Sequence, residues 1–168
     1  MAESKATADW QAAILPPVGS HYVERRPVEG VLVALMNGQL QRRGFVLKGY
    51  PTRALRAGDL HELIVTDEVP EGDGSRVEHI GYLGFVEITR GGIVVRGDRL
   101  LVGTREVGLL AGFDECHMPN HLNVIVHHAD CRGGQSRGLA LGDRVCFEPP
   151  TQQFWITDSR PRISRGGK

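Results

Sequence analysis

The sequence predicts a mainly β protein, a compact antiparallel β-barrel or β-sandwich with few short helices. Three observations carry this. Short apolar runs rich in Val, Ile and Leu recur from Val28 to the C-terminal region, each about the length of one strand. Twenty-two glycines punctuate them, as tight turns and strand kinks require. No stretch sustains an i, i+3, i+4, i+7 apolar stripe over three turns, so long amphipathic helices are not expected.

The elements follow in chain order. Residues 1–20 read as a loose lead-in with one helical turn near Trp10 to Leu15, stopped by Pro16, Pro17 and Gly19. "VEGVLVAL" (28–35) is a buried strand, and "GFVLKGY" (44–50) follows a polar connection that could be a turn or a brief helix. "DLHELIVTDE" (59–68) is a strand, and "VPEGDGS" (69–75) is turn chemistry. Six more strands are expected in "HIGYLGFVEI" (79–88), "GIVVRG" (92–97), "RLLVG" (99–103), "EVGLLAGF" (106–113), "HLNVIVHH" (121–128) and "DRVCFEP" (143–149). Residues 21–157 thus form a single β-rich domain, and 158–168 a flexible tail carrying Arg160, Arg162, Arg165 and Lys168.

Composition narrows the function classes. Twenty basic residues balance twenty acidic ones, so no global field recruits nucleic acid or an anionic membrane. No apolar run approaches the ~20 residues of a membrane-spanning helix, and the N-terminus lacks the pattern of a secretory signal. Three cysteines without a C-x-x-C pair suit a reducing, cytoplasmic home. Neither G-x-G-x-x-G nor a P-loop occurs, which argues against a nucleotide cofactor. Pairing of edge strands offers a route to a homodimer.

One stretch stands apart. "DECHMPNHLN" (114–123) gathers two histidines, a cysteine, two carboxylates and two asparagines around Pro119, and four of the chain's seven histidines lie between 117 and 128. If the chain stays extended, alternate residues share a face, so Glu115 and His117 would point together and Cys116 away. Beyond the proline turn, His121 would join them. Two imidazoles and a carboxylate are the usual minimum for a divalent zinc, iron or manganese centre with an open position, and the expected ligands are His117, His121 and Glu115. Asp114 or His61 would serve as an outer-shell or substitute group, and Asp114, Glu115 and His61 are the candidate acid–base residues. In "GDLHELIV" the side chains of His61 and Glu62 face opposite ways, so whichever faced the site could supply a third ligand. Asn120 or Asn123 would orient a substrate, and Arg132 or Arg137 could bind its anionic end. His127 and His128 fall on opposite faces of a strand, as one hydrogen-bonded and one exposed histidine.

The run "HLNVIVHHADCRGGQ" (121–135) faintly resembles a segment of acetolactate decarboxylases, in which a His-x-His strand leads to Gly-Gly-His and the histidines hold zinc. His121 matches the first of these, but Asn123 and Gln135 occupy the other two positions, so neither fold nor activity is carried over. The expectation is a small metal-dependent enzyme of lyase, isomerase or hydrolase type, acting on a polar molecule with a carbonyl or carboxylate. The alternative is a non-catalytic small-molecule-binding or interaction barrel in which the histidines are structural.

Overall fold

The computed structural model describes residues 22, 24–71 and 73–150. The lead-in turn and the basic tail expected from the sequence lie outside them. All regular structure among the described residues is strand; the few short helices are absent there. The strands are β1 (Val28–Leu35), β2 (Gln39–Leu40), β3 (Phe45–Val46), β4 (Thr52–Leu55), β5 (Leu60–Thr66) and β6 (Arg76–Val77). They continue with β7 (Ile80–Arg90), β8 (Gly92–Val95), β9 (Arg99–Val102), β10 (Arg105–Asp114), β11 (Leu122–His127) and β12 (Arg144–Glu148).

The main sheet runs β1-β12-β9-β10-β11-β5-β7 and closes on itself because β7 also pairs with β1. The result is a seven-stranded β-barrel, which settles barrel against sandwich. Every pairing in that ring is antiparallel except β11 with β5, which is parallel. This exception matters for function. Because β10 runs antiparallel to β11, the loop joining them sits at the N-terminal end of β11. The parallel pairing brings that end level with the start of β5, so Leu122 lies opposite His61 and Asn123 opposite Glu62.

Alternation sorts the side chains into two cores. Leu63 and Val65 of β5, and Leu122, Val124 and Val126 of β11, face into the barrel with Val86, Leu110 and Phe113. The intervening Ile64 and Ile125 face outward, yet they are fully buried beneath Phe45, Leu47 and Val77 from the small β3–β6 ribbon. That outer layer is why β11 is buried along its whole length and reads as an unbroken apolar run. A second ribbon, β4 with β8, contributes Leu55 and Val94 to the inner core.

Glycine permits one backbone approach that constrains the far end of the barrel. A Cβ on Gly81 would lie 2.2 Å from the Cys131 carbonyl oxygen. That carbonyl also accepts the Gln39 side-chain amide at 3.0 Å, so the 128–134 loop is pressed onto β7. Gly81→Ala is therefore expected to cost about 2 kcal/mol or more, since backbone and not a flexible side chain must give way. Chemical denaturation would measure it.

Candidate functional site

Residues 115–121 are not extended. Met118 N–H donates to the Glu115 carbonyl, and Asn120 and His121 N–H both reach the His117 carbonyl, making consecutive turns around a cis Met118–Pro119 peptide. The two-residue alternation therefore stops at Asp114. Glu115 swings away from the histidines. Its carboxylate accepts the Tyr50 hydroxyl at 2.6 Å and Arg53 at 3.2 Å, with Lys48 Nζ at 3.7 Å. The Tyr50 bond, with help from Lys48 and Arg53, holds it below the usual carboxylate range. The structure does not bring Glu115 to His117 and His121.

Glu62 takes that place. Its side chain shares the outer face of β5 with Ile64 and is only 5% exposed. Glu62 Oε2 lies 3.1 Å from His121 Nε2 and 3.5 Å from His117 Nδ1. One donor atom from each of Glu62, His117 and His121 falls within 4.8 Å of the others. Four bonds of about 2.0–2.1 Å in a tetrahedron give donor separations of about 3.3 Å, and the two measured distances straddle that value. The donor set and its spacing fit a divalent cation.

The surroundings fix both rings. Asp114 Oδ1 accepts the Asn123 amide at 2.9 Å, which leaves Asn123 Oδ1 to accept from His117 Nδ1 at 3.0 Å. The asparagine is fully buried, so it orients a ring rather than a substrate. Asn120 contacts His121 Nδ1 at 2.8 Å and steadies the second ring in the same way. Phe85, opposite Glu62 on β7, packs edge-on against His121 with centroids 4.9 Å apart. For His121 the Asn120 contact is on the nitrogen away from Glu62, where such a partner sets the tautomer and raises basicity. For His117 the same Nδ1 faces both Asn123 and Glu62, so a cation there would compete with the asparagine.

Asp114 organises the floor. Besides Asn123 it accepts the Cys116 N–H and the Val46 N–H, each at 2.9 Å. Burial pushes its carboxyl up, but the donors from Cys116, Val46 and Asn123 outweigh that and hold it below the usual carboxylate range. Asp114 thus ties the outer ribbon and the 115–121 loop to the barrel wall and stays ionised. Cys116, expected to point away, sits in this network with Sγ 3.4 Å from Asn123 Nδ2, because the turn ends the alternation that placed it elsewhere.

Arg43 is the residue that sequence reasoning missed. Its guanidinium lies 4.2 Å over the Phe45 ring and 3.3 Å from both His117 Nε2 and the Tyr82 hydroxyl. It has no carboxylate partner among the described residues. Nothing in "MNGQLQRRG" marks it out, because only the outer ribbon carries it to the histidines.

The remaining candidates lie elsewhere. Arg132 is bound bidentately by Asp130, and the buried Arg137 donates to the Val107 carbonyl at 3.0 Å; both follow the opposite end of β11. His61 shares the inward face of β5 with Leu63 and Val65, so the strand separates it from the cluster. Both of its ring nitrogens are buried without a hydrogen-bond partner, and burial holds its pKa below the ordinary histidine value. A buried, unpaired polar group costs about 1–3 kcal/mol. His61→Leu is therefore expected to stabilise the fold by about 1 kcal/mol, read from the denaturation midpoint.

The same burial has a pH signature. His61, His127 and His128 all have lowered pKa values, each chiefly by burial. Above a pH of about 6.5 these imidazoles are neutral folded or unfolded and stability is unaffected. Below it the unfolded chain takes up protons that the folded chain refuses, so stability is lost until the folded values are passed. The expected result is a fall in melting temperature between about pH 6.5 and 5, shallower in His61→Leu.

Taken together, fold and site define a seven-stranded β-barrel with a buried glutamate and two histidines clustered on its outer wall. The chain belongs to the family described as a family of unknown function (DUF6917), which matches residues 22–148. No curated protein and no solved structure matches it.

Proposed function

We propose that this protein is a divalent-metal-dependent enzyme of lyase, isomerase or hydrolase type, acting on a polar small molecule with a carbonyl or carboxylate. The observation that carries the reading is the convergence of two imidazoles on one buried carboxylate oxygen, with His121 at 3.1 Å and His117 at 3.5 Å from Glu62 Oε2. Without a cation, the carboxylate accepts from His121, while His117 Nδ1 lies between Glu62 and Asn123; zinc, iron or manganese would take the place between the carboxylate and the two rings. When bound, such an ion polarises a carbonyl or acidifies a coordinated water.

The chain's own residues supply the rest. Glu62, His117 and His121 hold three positions and leave the exposed side open, since the His117 side chain is 36% exposed. Arg43, with no carboxylate partner among the described residues, would reach toward an anionic group of the substrate, where a guanidinium forms two parallel hydrogen bonds. Asp114 acts through Asn123 on His117, as a positioning group rather than a proton carrier. Three free cysteines accord with a reducing cytoplasm, and no helix among the described residues is long and apolar enough to cross a membrane. A homodimer belongs to the same proposal, but barrel closure denies it a long strand edge, so its interface would be made by side chains.

The test uses manganese as a probe. Bound Mn(II) with an open position exchanges water and enhances the solvent proton relaxation rate. The expected result is strong enhancement in the parent, lost in His121→Ala, and reduced when small carboxylates are added to the parent but not to Arg43→Gln. A parent that gives no enhancement would favour the binding-barrel alternative, in which the histidines only secure the loop.

A further inference from the structure

The opposite end of the β5–β11 pair carries a second group of donors. Asp67 follows β5 directly, His79 immediately precedes β7, and Cys131 lies in the loop after β11. One donor atom from each lies within 4.8 Å of the others. His79 Nδ1 is 2.8 Å from Asp67 Oδ1, while its Nε2 is buried with no partner. The Cys131 thiol is buried, and its contacts to the Val65 and His79 carbonyls are long, at 3.5 and 3.9 Å.

We infer that Asp67, His79 and Cys131 form a second metal site, selective for zinc, that clips β5, β7 and the 128–134 loop together at this end of the barrel. Three features support it. A thiolate with an imidazole and a carboxylate is a softer set than the cluster on the outer wall and suits zinc over manganese or magnesium. The site is preorganised, because Gln39 and the close approach of Gly81 fix the Cys131 backbone whether or not an ion is present. A tetrahedral zinc needs donor separations of about 3.3 Å, so the Asp67–His79 pair need open only slightly to admit it.

The alternative uses of this thiol are weak. Burial pushes Cys131 up to about 11, so without a metal it stays protonated and is a poor nucleophile. On binding, the ion displaces the thiol proton to solvent and the sulfur coordinates as thiolate. The fourth position, beside the exposed Asp67, is left to water.

Cobalt(II) separates this site from the first, since only this donor set includes a thiolate. Adding Co(II) to the reduced full-length chain should produce a thiolate-to-cobalt charge-transfer band in the near ultraviolet, abolished by one equivalent of Zn(II). The band should persist in His121→Ala and in Cys116→Ser. It should vanish in Cys131→Ser and in His79→Gln, with circular dichroism confirming that these variants remain folded. Asp67→Asn should weaken zinc binding by about tenfold or more. No band in the parent, or a band that survives Cys131→Ser or disappears with Cys116→Ser, overturns the assignment and leaves the outer-wall cluster unaffected.

Discussion

Glu62→Gln is expected to weaken metal binding by more than about 100-fold, beyond what loss of an outer-shell partner costs, while Glu115→Gln leaves it nearly unchanged. The contrast follows from geometry. Glu62 is 5% exposed and supplies the oxygen on which both imidazoles converge. Glu115 is committed to Tyr50, Arg53 and Lys48 on the other side of the loop. The amide of glutamine keeps the size of the side chain but removes its charge, so fold and ligand roles can be separated. Chelator-competition titrations with manganese, which the thiolate-containing second site disfavours, would measure both variants at fixed pH. Equal losses in the two, or a greater loss in Glu115→Gln, would mean that the ligand set is wrong.

Asp114→Ala carries the second large effect. Three N–H groups, from Val46, Cys116 and Asn123, would lose their common acceptor. With each unsatisfied buried donor worth about 1–3 kcal/mol, and some relief from entering water, a loss of about 3 kcal/mol is expected. Function should suffer as well, because Asn123 would no longer be held to orient His117. Asp114→Asn keeps one acceptor oxygen and should cost less. The carboxyl is held below the usual carboxylate range, so its contribution is complete above that range. It is lost as pH falls through the folded value, and Asp114→Asn should flatten the acid limb of the stability profile in that window. Denaturant titrations between neutral pH and about pH 3 would read this out; a variant as acid-labile as the parent would show that Asp114 carries no such term.

The residues differ in how far the sequence exposes them. His117 and His121 are visible because histidines crowd around Pro119. The longer strands are visible from their β-branched runs. β2 and β6, with two residues each, are not, since so short a pairing leaves no periodicity, whereas β3 falls inside the run "GFVLKGY"; the arginine in "TRAL" hides β4. Strand alternation favours Glu115 over Glu62, but it ends at Asp114, where the chain enters a turn. The dipeptide His61-Glu62 stands out in the sequence, but which half of it faces the two histidines depends on which face of β5 the outer ribbon covers. That choice, like the arrival of Arg43 and Phe85, depends on the parallel β5–β11 pairing. A contact between segments some 60 residues apart has no local sequence signal.

The same topology gives the molecule its division of labour. The parallel pair has one set of polar groups at each end: Glu62, His117 and His121 at the start of β5 and β11, and Asp67, His79 and Cys131 at their finish. Between them the pair is apolar on both faces, a rigid bar on which the two groups are mounted.

The most direct measurement of the central claim is anomalous diffraction from crystals of the untagged protein equilibrated with one equivalent of manganese. The expected result is a single strong anomalous peak about 2.0–2.2 Å from Glu62, His117 and His121, with Arg43 turned toward the open side. Crystals with no peak there, and Glu62 still accepting a hydrogen bond from His121, would contradict it.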